Sequence, residues 1–341
     1  MPKAKLYEKL ADSRIRCDIC QWHCIISPEK LGVCKARKNK DGTLELLNYA
    51  RVSSIANDPI EKKPLFHFFP GSTVLSLGTL GCNFHCIHCQ NWQISCVDDP
   101  NSTDHLQTIN PEKTIELAQK YHSHGIAWTY NEPSIWFEYT LDSAILAKQN
   151  KLYTVYVTNG YLSPEALDMI GPYLDAWRLD IKGFSDVFYQ KLAKIKNWRG
   201  ILEVAKRARD KWKMHVEIVT NIIPTCNDDE VQLENLAQWI KQDLGELTPW
   251  HVTRFYPQYK LTDIPATPVE TLEKAYEIGK KAGLKFVYLG NVAGHEKENT
   301  ICYQCGKTVI KRMGYNIQIT GVTGSKCHFC GAELNIRTRL N

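Results

Sequence analysis

The chain of 341 residues is 43% hydrophobic and carries 42 basic against 37 acidic side chains, a formal net charge of +5. That length and apolar content suffice for a large buried core, as one large domain with appendages or as two domains. No apolar run is long enough to span a bilayer, and the charged start Met1-Pro-Lys-Ala-Lys-Leu-Tyr-Glu-Lys-Leu10 lacks a signal-peptide core, so a cytoplasmic location is expected.

The opening stretch, 1–70, reads as a Cys-rich extension with a turn-like Asp41-Gly42 and a Pro-rich run from Asn57 to Pro70. From about Thr73 onward, short β-rich runs alternate with helical patterns. The runs are Val74–Leu77, Ile126–Tyr130, Thr154–Thr158, Trp177–Ile181, Val216–Thr220, Val252–Tyr256 and Phe286–Leu289. Helix starts fall between them. Pro111 follows Asn110 as N-cap, and Ser163-Pro164, Asp228-Asp229-Glu230 and Thr267-Pro268 carry start signals of the same kind, with Gly283 ending the last helix. This β/α alternation over 71–295 predicts a parallel sheet with helical crossovers. Periodicity does not separate an open sheet from a barrel. Nearly every chemically suggestive residue nonetheless falls just after a strand, where such sheets carry their sites.

Eleven of the 13 cysteines fall into three tight groups, 17/20/24/34, 82/86/89 and 302/305/327/330, leaving Cys96 and Cys226. In a chain without secretory features, clustered thiols indicate metal more than disulfide. Cys82, Cys86 and Cys89 are spaced C-x3-C-x2-C with no fourth cysteine in the segment. Three thiolates on a [4Fe–4S] cluster leave one iron open to a substrate or cofactor. Zinc requires a fourth ligand, for which His85 and His88 are the nearby choices. Cys302-x2-Cys305 and Cys327-x2-Cys330, each followed by glycine and separated by 21 residues, form the paired knuckles of a zinc ribbon over 296–341, with strands expected across Val309–Gly321. An auxiliary cluster is the competing reading. Cys17, Cys20, Cys24 and Cys34 close either a zinc site or an Fe–S cluster, and spacing does not choose between them.

The charge excess sits at the end. From Thr300 onward Lys307, Lys311, Arg312, Lys326, Arg337 and Arg339 oppose only Glu333. Two readings stand, a polyanion-binding tail and a set of bases offsetting the −2 charge of a four-thiolate zinc. Glu217, polar inside an apolar strand, suits a sheet face turned toward a site. His251, Thr253 and Phe255 share one strand face, where a lone histidine is more often structural.

The segment Gly81-Cys-Asn-Phe-His-Cys-Ile-His-Cys-Gln-Asn-Trp92 resembles the radical S-adenosylmethionine (SAM) enzymes, in the branch of the glycyl-radical activating enzymes. With Cys17-Asp-Ile-Cys-Gln-Trp-His-Cys24, Tyr130-Asn-Glu-Pro133 and Trp250-His-Val-Thr-Arg-Phe-Tyr-Pro257 it is similar to the AmmeMemoRadiSam system radical SAM enzymes, described as like pyruvate formate-lyase-activating enzyme. That resemblance implies a partial (β/α)6 barrel, a [4Fe–4S] cluster on Cys82, Cys86 and Cys89, and reductive cleavage of SAM to a 5′-deoxyadenosyl radical that takes hydrogen from a substrate. It implies cofactor-binding roles for Asn131 and Glu132 toward the SAM ammonium and for Thr158 and Asn159 near the ribose and methionine. Lys182 would meet the carboxylate with Asp180 balancing its charge, and His88 would lie near the adenine. A flavodoxin or ferredoxin as reductant and Memo-like and AMMECR-like proteins as partners follow from the same source. The expected substrate is a macromolecule, a protein first. RNA or a small molecule, or a non-catalytic metal-binding module of a complex, are the alternatives.

Overall fold

The computed structural model describes residues 2–97 and 106–340. The chain divides into two compact units. The first comprises Met1–Asp58, Thr73–Trp177 and Lys194–Met214, the second Pro59–Ser72, Arg178–Ala193 and His215–Asn341.

In the first unit, strands β1 (Thr73–Gly78), β2 (Gly125–Trp128) and β3 (Tyr153–Thr158) run parallel, with β2 between the other two. All six residues of β3 and all four of β2 are buried, as expected for parallel strands covered on both faces. Helices α1 (Pro111–Lys120), α2 (Phe137–Gln149), α3 (Pro164–Ile170) and α4 (Gly200–Asp210) accompany them. Two of the expected caps are present. Asn110 accepts from the Lys113 amide at 2.8 Å, and Ser163 Oγ from the Ala166 amide at 3.2 Å, each satisfying a donor the helix leaves open. Strand β4 (Ala176–Asp180) begins in this unit, and the chain enters the second within it.

The N-terminal part of the first unit is built of short antiparallel pieces. Tyr7–Lys9, Ile15–Cys17 and Cys24–Ile26 form one sheet, with Cys17 opposite Cys24. Arg37–Lys40 and Thr43–Leu46 form a hairpin turned at Asp41-Gly42. Both turn residues have positive φ, 49° and 73°, the geometry of a tight two-residue hairpin and the reason this dipeptide is legible as a turn.

In the second unit β5 (His215–Ile222), β6 (Trp250–Arg254) and β7 (Val287–Gly290) are parallel in that order, with helices α5 (Glu230–Trp239) and α6 (Val269–Ala282). Asp229, not Asp228, caps α5, accepting from the Gln232 amide at 3.0 Å. Thr267 does not cap α6. Its hydroxyl accepts from the Phe255 amide at 3.0 Å and donates to the Ile222 carbonyl at 2.6 Å, clamping the ends of two strands. Gly283 ends α6 as expected. Thr300–Ile301, Thr308–Met313 and Asn316–Ile319 make an antiparallel sheet, strands where the sequence predicts them. Among the described residues no helix is long and apolar enough to cross a membrane.

Candidate functional site

The loop after β1 carries Cys82, Cys86 and Cys89. Gly81 precedes it at φ 94°, and a Cβ there would lie 2.5 Å from the Cys34 carbonyl oxygen, so both conformation and space require glycine. Cys82 Sγ accepts from the Phe84 amide at 3.3 Å and faces Asn159 Nδ2 at 3.8 Å. Burial, and then the Glu132 carboxylate, push the Cys82 thiol well above its usual range, so this sulfur calls for a cation if it is to be a thiolate.

Two strand-end turns hold that loop. Asn131, after β2, accepts from the Thr79 amide at 3.2 Å and donates to the Gly81 carbonyl at 2.7 Å. Glu132 is 1% exposed, and its carboxylate accepts from Thr158 Oγ1 at 2.7 Å, the Asn159 amide at 2.8 Å and the Ser134 amide at 3.0 Å. Burial pushes the Glu132 carboxyl above its ordinary pKa, against the pull of these donors. Asn159 accepts from the Tyr161 amide at 3.0 Å and donates to Asn83 Oδ1 at 2.8 Å. Thus Asn131, Glu132, Thr158 and Asn159 come together with Cys82 in one polar lattice, through side chains aimed at the protein itself. Tyr130 takes a left-handed φ of 72° and donates its hydroxyl to Asp58 at 2.7 Å. His88 is buried on the same loop. Asn83, which joins Asn159 to the loop, is the residue that sequence reasoning missed; no spacing rule distinguishes it from a turn asparagine.

Asp180 and Lys182 belong to the second unit. Lys182 Nζ lies 3.4 Å from Asp180 Oδ2, and Arg178, not anticipated, closes on the other carboxylate oxygen. Burial drives Asp180 upward, but Arg178 and Lys182 more than reverse it and hold the carboxyl below its ordinary value. Asn227 Nδ2 donates to the Lys182 carbonyl at 2.7 Å.

Glu217 does not address a site. Fully buried, it accepts from the Phe66 and His67 amides at 3.0 and 2.8 Å and meets His215 Nε2 at 2.9 Å and His251 Nε2 at 2.7 Å. Burial opposes the charge, yet these partners hold the carboxyl well below its usual range. His251 is therefore structural. Beside it a chain of donors runs through the second unit. Arg312 donates to Thr300 Oγ1 at 2.7 Å, Thr300 and Tyr288 hydroxyls stand 2.9 Å apart, Tyr288 reaches His67 Nε2 at 2.5 Å, and His67 Nδ1 reaches the Leu334 carbonyl at 2.7 Å. The carbonyl forces the proton onto Nδ1, so Nε2 accepts and the ring is neutral. Burial lowers the His67 pKa to about 3. Arg312 also lies over the Phe66 ring at 4.1 Å and is 3% exposed. It is a core residue, a correction to its place in the basic tail.

Cys302, Cys305, Cys327 and Cys330 bring their sulfurs within 4.8 Å of one another, with Cys302–Cys330 at 3.6 Å and Cys305–Cys327 at 3.8 Å. A tetrahedral ion with thiolates at about 2.3 Å separates them by about 3.8 Å. Val309, Ile310, Leu334 and Ile336 pack with Phe66, Phe286 and Tyr288, which gives this region apolar support beyond its cysteines. Among the described residues it is the one ligand set gathered so tightly. Cys82, Cys86 and Cys89 are not gathered with His85 or His88 within that separation.

Residues 77–239 match the Radical SAM superfamily. The chain is 43% identical, over 98% of its own length and 99% of the other's, to the uncharacterized protein MJ0808 of Methanocaldococcus jannaschii. A putative glycyl-radical enzyme activating enzyme of that organism, MJ1632, is 26% identical over 65% of this chain and 80% of that one. Two solved structures share the fold. A radical SAM methyltransferase from Sphaerobacter thermophilus has a TM-score of 0.50 at 14% identity, covering 65% of this chain and 67% of its own. Streptococcus suis SuiB bound to S-adenosylmethionine has a TM-score of 0.50 at 13% identity, covering 68% and 53%. Residues 77–239 form a radical SAM superfamily domain, and the chain combines a parallel α/β fold with a C-terminal four-cysteine cluster. Membership implies SAM, a [4Fe–4S] cluster and a reductant.

Proposed function

We propose that this protein is a radical SAM enzyme in which Cys82, Cys86 and Cys89 hold a [4Fe–4S] cluster with one iron open to S-adenosylmethionine, acting on a macromolecule, in the first place a protein, in the manner of a glycyl-radical activating enzyme. The observation that carries this reading is the lattice that fixes Cys82 to Asn159, Asn83 and Glu132 at the ends of two parallel strands. Bound there, SAM would supply a carbon-centred radical for hydrogen abstraction once the cluster is reduced.

The chain's own residues supply position and charge. Glu132 and Asn131 hold the cysteine loop against the strand ends and shape the surface the cofactor amino group meets, while Thr158 and Asn159 present the second turn. Lys182, balanced by Asp180 and Arg178, is the cation offered to the cofactor carboxylate, and His88 is the aromatic group for the adenine. The quartet of Cys302, Cys305, Cys327 and Cys330 is a closed zinc site that orders the chain end. The division into 1–70, 71–295 and 296–341 is kept as a functional one: auxiliary metal, radical chemistry and ribbon. A flavodoxin- or ferredoxin-like donor supplies the electron, and Memo-like and AMMECR-like proteins are the associates to test. Protein is favoured over RNA because Arg312, one of the six tail bases, is spent in the core.

The test is anaerobic reconstitution with iron and sulfide, reduction, and assay of 5′-deoxyadenosine from SAM with and without candidate partner proteins. Wild type should form it, and Cys82→Ala, Cys86→Ala and Cys89→Ala should each abolish it. Unchanged formation in all three variants overturns the assignment.

A further inference from the structure

Cys17, Cys20, Cys24 and Cys34 line one recess, walled in part by Trp22 and Arg37. Three observations bear on its occupant. First, all four cysteines line the same recess, and Cys17 stands opposite Cys24 on paired strands. Yet among the described residues only the C-terminal quartet is gathered within 4.8 Å. Sulfurs around a single zinc ion sit about 3.8 Å apart. A cube of four irons holds its four thiolates around a larger body, and so further apart. Second, Arg37, 2% exposed, commits Nη1 and Nη2 to Glu138 at 3.0 and 2.6 Å, while its buried Nε has no acceptor in the protein. A buried cationic donor left open beside a thiol-lined recess suits an anionic occupant with acceptor sulfurs. Third, the recess abuts the radical SAM loop. Trp22 Nε1 donates to the Asn83 carbonyl at 2.7 Å, and the Cys34 carbonyl occupies the space beside Gly81.

We infer that Cys17, Cys20, Cys24 and Cys34 hold a second [4Fe–4S] cluster next to the Cys82 loop, and not a zinc ion. Four thiolates leave no iron open, so this cluster is not a second SAM site. Its existence does not depend on the catalytic reading above.

The experiment uses the full chain with Cys82→Ala, Cys86→Ala and Cys89→Ala combined, which removes the other cluster and leaves the N-terminal cysteines intact. After anaerobic reconstitution with ferrous iron and sulfide, about four irons and about four sulfides per chain should remain, against about eight of each in wild type. Mössbauer spectroscopy of wild type, which needs no substitution, should count about eight cluster irons. An iron-free triple variant, or about four cluster irons in wild type together with about two zinc ions, overturns the inference.

Discussion

Glu132 is the residue whose replacement separates positioning from direct cofactor contact. In Glu132→Gln the amide keeps the shape, but its NH2 must displace one acceptor oxygen. Oε1 serves both Thr158 Oγ1 and the Ser134 amide, whereas Oε2 serves only the Asn159 amide. The cheaper arrangement turns the NH2 toward Asn159 and sets two N–H groups against each other. A buried donor stripped of its acceptor costs about 1–3 kcal/mol, and the remaining bonds weaken when the acceptor loses its charge. Relief from burying a charged carboxylate offsets part of this. The net should be about 2 kcal/mol, localised at the Thr158–Tyr161 turn. Hydrogen-exchange mass spectrometry of a peptide covering that turn should show roughly thirty-fold faster exchange at Asn159, since about 1.4 kcal/mol is tenfold. 5′-Deoxyadenosine formation should fall with it. Unchanged exchange at the turn, with only the SAM KM raised, would refute the positioning role and return Glu132 to direct cofactor contact.

Gly81→Ala should cost at least about 2 kcal/mol, combining left-handed strain with the Cβ placed 2.5 Å from the Cys34 carbonyl, and should lower iron loading after reconstitution; normal melting and full iron would refute it. Cys302→Ala/Cys305→Ala should lose about one zinc per chain and no iron by metal analysis, and iron loss would make that quartet an auxiliary cluster. Folded His67 stays neutral down to about pH 3 while the unfolded imidazole takes a proton near pH 6.5. Acid therefore removes stability through that window, by roughly 2 kcal/mol at pH 5; urea midpoints with His67→Gln as control check it, and a slope unchanged by the substitution refutes it. If the tail binds RNA, affinity should fall steeply with added salt, and salt-insensitive or absent binding leaves protein as the macromolecular substrate.

The parallel core was legible because its strands are buried on both faces and announce themselves as apolar β-branched and aromatic runs, and because Asn110, Ser163 and Gly283 are short-range signals read by the backbone beside them. Thr267 misled for the opposite reason. Its sequence is that of a cap, but its hydroxyl is captured by Phe255 and Ile222 from elsewhere in the chain. Glu217 and Arg312 misled in the same way. A carboxylate inside a strand suggested a site and an arginine in a basic tail suggested a surface, yet each is consumed by partners more than 30 residues away, His251 for one and Phe66 for the other. Asn83 carried no signal, since its role exists only once the distant Asn159 turn meets it, whereas Arg178 shares a strand face with Asp180 two residues on, a signal that went unread.

Spacing along the chain leaves zinc and iron–sulfur open for all three cysteine groups, because both metals accept thiolates from short loops. Spacing in space is a different quantity, fixed by the backbone that presents the thiols. The C-terminal knuckles bring their sulfurs to the separation of a single ion before any metal is considered. The other two groups do not, although Cys17 and Cys24 stand directly opposite each other on paired strands. The thiols of Cys17, Cys20, Cys24 and Cys34 instead line a recess with a buried guanidinium nitrogen unspent beside it, the arrangement from which the second cluster is proposed. The same argument applies to the loop of Cys82, where asparagine and glutamate side chains are used to hold the thiols in place and not to ligate. If both proposals hold, small-ion chemistry would sit at the chain end and iron–sulfur chemistry in the first unit.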